Sequence, residues 1–293
     1  MCRIGNVKFI VMGILVFVSA LAAQAQQRPL MTEDIDTTRK GAIEFSSGVE
    51  FLQDAKFPLS GLTGDLSRVG VIRFRTGYAS NVEVQVEGTL QNYLAINSIA
   101  NPTPIPLRID GNSSTDFDDF LISVKIRLKD ESKLLPGFAM KFGYQMPNTD
   151  QSRGIGTNQI NVFSKFIAQK RFGTVRNESH RTNLFGEIGL GIMNSPLGNF
   201  SQNDVVLYGL AGIFRVTDSV NIVSEINGRL NTRKSDVPLG TESVGQFRLG
   251  TQITSGPLRF DAAGLLGITR YSPKSGFLVG VTYKSEPFIP VAK

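Results

Sequence analysis

Between Ala42 and Lys284 apolar side chains recur at every second position, in run after run, with charged and amide side chains between them. A period of two is the period of a β-strand, whose successive side chains leave opposite faces of the sheet. In Ser67–Leu90 (SRVGVIRFRTGYASNVEVQVEGTL) two such runs flank a short polar turn, the pattern of a hairpin. Ten further runs bring the total to twelve: Ala42–Leu52, Phe120–Lys129, Phe138–Met146, Gln159–Gln169, Leu184–Ile192, Val205–Val216, Val220–Leu230, Gln246–Thr254, Leu258–Ile268 and Gly276–Lys284. The alternation is weakest in Gln159–Gln169, where Phe163 and Ile167 fall on the polar face. No convincing helical period interrupts the series.

Alternation alone does not say which face meets water. In a soluble sandwich Val82, Val84 and Val86 would point into a core; in a membrane barrel they would point into lipid, leaving Glu83, Gln85 and Glu87 inside. Every run offers an apolar face free of Asp, Glu, Lys and Arg. A barrel requires this, because Arg or Lys facing lipid at the midplane costs about 2–4 kcal/mol. Twelve strands in an open sandwich would also leave edges to protect, whereas a closed cylinder leaves none. Connection lengths alternate too. Ala79–Asn81, Thr217–Ser219 and Ser255–Pro257 are short, and Gln53–Leu66, Ala95–Thr115, Pro147–Asn158, Asn194–Asn203 and Asn231–Ser243 are long. Asp130–Pro136 and Phe172–Asn183 are long for the short-turn end. With a turn near Ser80, Arg75 is expected opposite Glu83 and Arg73 opposite Gln85. The expected fold is all-β: a transmembrane, antiparallel, up-and-down β-barrel of about 12 strands. Tyr78, Tyr93, Tyr144, Tyr208, Tyr271 and Tyr283 lie mostly near strand ends, where interfacial girdles form.

Upstream of the strands, Arg3 and Lys8 precede the apolar run Phe9–Ala22, and Ala23-Gln24-Ala25 fits a small-residue cleavage site. Residues 1–25 are therefore expected to be a secretory signal peptide. Residues 26–40 (QQRPLMTEDIDTTRK) are polar and aperiodic, and are expected as a periplasmic lead-in; 41–285 form the barrel and 286–293 a C-terminal tail. Cys2, the single cysteine, falls in the leader, so the mature chain has no disulfide and no thiolate site. After the leader no stretch of about 18 apolar residues follows that would make a membrane helix. Of the 293 residues, 31 are Lys or Arg and 25 Asp or Glu, a net charge of +6 that falls to about +4 without the leader. The basic residues are scattered, not striped, and export removes a genomic partner, so nucleic acid is excluded. The expected location is the bacterial outer membrane. The expected partners are its lipid, lipopolysaccharide and the barrel assembly machinery, with a small-molecule permeant that the sequence does not name.

On this register the lumen is lined by Glu44, Glu50, Arg73, Arg75, Glu83, Glu87, Lys125, Arg127, Lys141, Lys165, Glu187, Glu225, Arg229, Arg248, Arg259, Asp261 and Lys284. Ten of these are basic and seven acidic, which suggests weak anion preference if the channel is continuous. The competing reading is that the charges pair and plug the interior. Catalytic chemistry is thin. The one histidine, His180, lies with Glu178 and Ser179 in an expected turn, and sequence adjacency is not triad geometry. Asp116, Asp118 and Asp119 could bind Ca²⁺ or merely form a solvated strand start. Gly154–Gly156 and Gly189–Gly191 lack the strand–turn–helix setting of a phosphate loop. No catalytic residue, cofactor or metal is expected. The expected function is a passive channel or transporter without catalysis. A surface-interaction barrel with a plugged lumen is the alternative and an outer-membrane hydrolase the third reading.

Three segments carry a resemblance: SRVGVIRFRTGYASNVEVQVEG, DFDDFLISVKIRL followed by PGFAMKFGYQMPNT, and NDVVLYGLAGIFRVTDSVNIVSEINGR. Together they resemble the outer-membrane barrels of the phenol-degradation meta-pathway (MetA-type) transporters. Asp119 with Lys125, Pro147 with Thr149, and Glu225 with Gly228 stand at the matching positions, over about residues 30–285. Asn148 between Pro147 and Thr149 departs from the pattern, as does the ending KSEPFIPVAK, where such barrels finish on an aromatic residue. The resemblance implies uptake of small, aromatic or hydrophobic molecules.

Overall fold

The computed structural model describes residues 30–175, 179–197, 202–233 and 237–288. The leader expected at 1–25 and the end of the C-terminal tail lie outside the described residues. Thirteen strands follow in chain order: β1 (Ile43–Phe57), β2 (Leu62–Ala79), β3 (Val82–Ile99), β4 (Ser113–Asp116), β5 (Leu121–Lys129), β6 (Gly137–Gln145), β7 (Asn161–Val175), β8 (Ser179–Asn194), β9 (Gln202–Arg215), β10 (Val220–Asn231), β11 (Val244–Ser255), β12 (Leu258–Gly267) and β13 (Ser275–Lys284). Twelve of them close an antiparallel barrel, each pairing with its sequence neighbour except that β3 pairs with β5 across the interruption of β4. The seam is β1 against β13, in unbroken register from Glu44↔Lys284 to Gln53↔Ser275. β4 stands outside the circuit, pairing through Ser113–Asp116 with Asn92–Ala95 of β3. Its four residues are too few for a period of two to be visible.

The faces settle the question the alternation left open. Leu210 is 64% exposed, Ile188 61% and Leu190 62%, whereas Arg75 and Lys125 are at most 1% exposed. A water-soluble domain buries the first kind and exposes the second. Here the charged side chains face in and the exposed apolar ones face out, as a cylinder bathed in lipid requires. Among the described residues no helix is long and apolar enough to cross a membrane.

Four expectations change. The long connection at Gln53–Leu66 shrinks to residues 58–61, because β1 and β2 continue upward as a paired ribbon. Likewise Phe172–Asn183 is mostly strand, with β7 running to Val175 and β8 starting at Ser179. His180 therefore lies within β8, opposite Thr174, and not in a turn; Glu178 is outside the described residues. The β2–β3 turn is centred on Ser80 and Asn81, and with a one-residue shift between Gly77 and Ala79 the register differs by two from the expected one, so Arg73 faces Glu87 and Arg75 faces Gln85. A second irregularity sits at Gly70, whose φ of +67° suits glycine. Beyond it the inward face changes parity: Arg68 and Arg73, five apart, both reach lumen carboxylates.

Candidate functional site

The polar faces of the twelve strands look inward, and side chains of the expected lumen set make ion pairs and hydrogen bonds there. Arg75 pairs with Glu44 and lies 3.9 Å from Glu83, and Lys284 lies 3.3 Å from Glu44. Lys125 lies 3.3 Å from Glu83; Glu87 joins Lys141 (2.6 Å) to Arg73 (2.7 Å). Arg259 pairs with Asp261 at 3.1 Å, and Glu50 bridges Arg248 (2.9 Å) and Arg68 (2.8 Å). Lys165 meets Glu187 at 2.8 Å. Two of the set sit towards the rims: Arg127 pairs with Asp130 at 3.1 Å, and Arg229 donates to the carbonyls of Gly240 and Glu242.

Across this wall runs the segment that was expected as a periplasmic lead-in. The structure places Leu30–Thr38 inside the barrel: Thr32, Glu33, Asp34 and Ile35 are at most 1% exposed. The cause is that backbone amides and carboxylates of the segment find partners on six strands. The amides of Met31 and Thr32 donate to Glu225 (3.0 and 3.2 Å), that of Glu33 to Glu187 (3.1 Å), that of Ile35 to Gln169 (3.1 Å) and that of Thr38 to Glu83 (2.5 Å). In the other direction the Asp34 carboxylate accepts from Lys125 (2.8 Å) and the Glu33 carboxylate from Lys141 (2.7 Å), while Asp36 pairs with Arg171. Two apolar anchors complete the fit. Leu30 packs with Phe185, Ala211, Ile213, Val223 and Ala263, and Ile35 with Ala139 and Ile167, all on the inner face. The segment then leaves along β2, where Lys40 bridges Gly77. A Cβ at Gly77 would stand 2.2 Å from the Thr38 carbonyl, so only glycine admits the segment there.

The long-loop end carries its own inner packing. Leu52, Leu62, Leu66, Leu94 and Leu265 point inward near the mouth and bury Leu107, Ile109 and Ile155 from the β3–β5 and β6–β7 connections. The 3-10 turn Gln151–Arg153 clamps these connections together. Ser60 Oγ donates to the Gly154 carbonyl (2.7 Å), Ser114 Oγ to that of Arg153 (2.6 Å) and the Arg108 amide to that of Ser152 (2.9 Å).

The three aspartates turn to separate tasks. Asp118 pairs with Arg68 at 2.6 Å. Asp116 accepts the amides of Phe117 and Asp150, and burial raises its pKa against those bonds. Asp119 accepts from Gln145, Asn148, Thr149, Thr157 and Asn158, so it organises the whole β6–β7 connection. Among the described residues no group of three or more His, Cys, Asp or Glu side chains is arranged to hold a metal ion. The positions that carry the family resemblance thus converge on two jobs: Asp119 holds Thr149, while Lys125 and Glu225 hold the N-terminal segment.

Solved structures share this architecture. The COG4313 outer membrane channel from Pseudomonas putida F1 superposes with a TM-score of 0.59 at 9% identity, over 89% of this chain and 100% of that one. The chain has the fold of an outer-membrane β-barrel. The NanC porin aligns at a TM-score of 0.49 and 8% identity, over 83% of this chain and 100% of that one. LpxR from Salmonella typhimurium aligns at 0.43 and 9%, over 83% and 99%. No family model and no curated protein matches the chain, so the phenol-degradation meta-pathway family stays at the level of resemblance.

Proposed function

We propose that this barrel is an outer-membrane channel that passes small molecules without chemistry, with its long loops outside and its short turns in the periplasm. One observation carries the reading: a wall that is apolar outside and hydrogen-bonding inside encloses charged side chains that would otherwise have no place in a membrane. The fold shared with a channel of known structure supports it. Permeants with an aromatic or hydrophobic part, as the resemblance implies, would meet the inward leucines near the outer mouth before the charged belt below. The crossing of the lumen by Leu30–Thr38 favours a second reading, a plugged barrel whose loops bind a partner. Planar-bilayer recording separates the two. Discrete conductance steps from the purified protein are expected; their absence from a correctly folded preparation would leave the plugged barrel.

A further inference from the structure

The segment inside the barrel completes a charge balance that the wall leaves open. Arg73, Arg75, Lys125, Lys141, Arg259 and Lys284 face one another across adjoining strands near the seam. Among the described residues, the ion pairs they make with the wall use four carboxylates, those of Glu44, Glu83, Glu87 and Asp261. Glu33 and Asp34 of the segment supply the two that are missing. The same happens at the short-turn end. Lys170 and Arg171 share Glu131, at 3.0 and 3.3 Å, and Asp36 brings the second negative charge. Cations left without counter-charges inside the barrel cost free energy, so these places favour an anion.

We propose that Lys125 and Lys141, with Arg75 behind them, form a binding site for small organic anions bearing two carboxylates, filled in this structure by the chain's own Glu33 and Asp34. Lys125 Nζ reaches both carboxylates, at 2.8 Å to Asp34 and 3.6 Å to Glu33, and Lys141 Nζ reaches Glu33 at 2.7 Å. Arg75 stands 4.0 Å from Asp34. These are charge-assisted contacts to carboxylate oxygens, which a free dicarboxylate of similar span offers equally well. The segment's remaining hold is through backbone amides and two apolar anchors, so an anion can take over the cation contacts without copying the rest. The proposal rests on reading the barrel as a channel and names the class of solute it would favour.

Calorimetry on the detergent-folded barrel tests it, with succinate as probe and 1,4-butanediol as its neutral counterpart. Glu33→Ala with Asp34→Ala removes both carboxylates and frees the space beside the cations. This variant is expected to bind succinate with a Kd near or below about 1 mM, at least about tenfold tighter than the native protein, and to ignore the diol. Adding Lys141→Met is expected to weaken that binding by about tenfold. A folded variant that binds no succinate, or binds it equally well without Lys141, overturns the site. If the double variant does not fold, Glu33→Ala alone carries the same test through Lys141. Bilayer recording on the same preparations keeps the two readings apart. Succinate binding without conductance would refute the channel and keep the site; conductance without succinate binding would do the reverse.

Discussion

At the scale of single residues, the inside of this barrel works by giving one side chain many partners. Asp119 is the strongest case. Its two oxygens accept three backbone amides and three side-chain donors from the end of β6 and the β6–β7 connection, and the residue is only 7% exposed. Removing an acceptor strands buried donors, at about 1–3 kcal/mol for each one left without water. Asp119→Ala is therefore expected to destabilise the barrel by about 2–4 kcal/mol, read as a lower midpoint in urea unfolding, and to expose residues 147–158 to protease. An unchanged midpoint with an intact loop would show that the connection is held by the Gly154–Ser60 contact instead. Gly77 works by the opposite means, since the lack of a side chain is what lets the Thr38 carbonyl approach. Gly77→Ala should push the segment off β2, measurable as new protease cleavage within residues 30–40.

At the scale of elements, each strand is a sheet of paper with two unlike sides, and exchanging them is costly. Leu210 sits in the middle of β9 on the outer side, 64% exposed. Leu210→Arg is expected to cost about 2–4 kcal/mol of folding free energy in bilayers, measured by reversible denaturation from vesicles. A negligible cost would mean that this face meets water. The two sides were legible in the sequence because alternation survives in almost every strand. The ends of strands were not. β1 and β2 run to Phe57 and from Leu62 through Gln53-Asp54 and Thr63-Gly64-Asp65, polar stretches that read as loop until pairing holds them. The lead-in was illegible for a different reason. Met31–Thr38 bonds to β3, β5, β6, β7, β8 and β10, so no single neighbour imprints a period on it. Its trace was present elsewhere, in the apolar residues misplaced on polar faces. Ile167, which weakens the alternation of β7, is the seat of Ile35, and Phe185 is part of the seat of Leu30. Arg68 escaped the lumen set because the parity change at Gly70 has no signature beyond one glycine.

At the scale of the whole molecule, the inverted distribution of polarity makes the cylinder stable only where lipid surrounds it. The cell envelope fractionated by density is expected to hold the mature protein in its outer membrane. Its unboiled band is expected to run ahead of the boiled one, as compact barrels do when detergent alone cannot unfold them. A soluble periplasmic protein without that shift would turn the valines of β3 inward and dissolve the lumen altogether. The closing seam adds a constraint of another kind. β1 and β13 meet through partners as remote as Glu44 and Lys284, and the strand end is tied down where the amides of Ser285 and Phe288 donate to the carbonyls of Ile43 and Gly41. The two staves that close the cask are thus the first and the last strands of the chain order, and Leu30–Thr38 lies just ahead of the first of them. A polar stretch with charges at Glu33, Asp34 and Asp36 cannot slip sideways through a finished wall. It reaches the lumen through an open end or is enclosed as the wall closes, and in either case the wall and the segment fit each other only in the folded state.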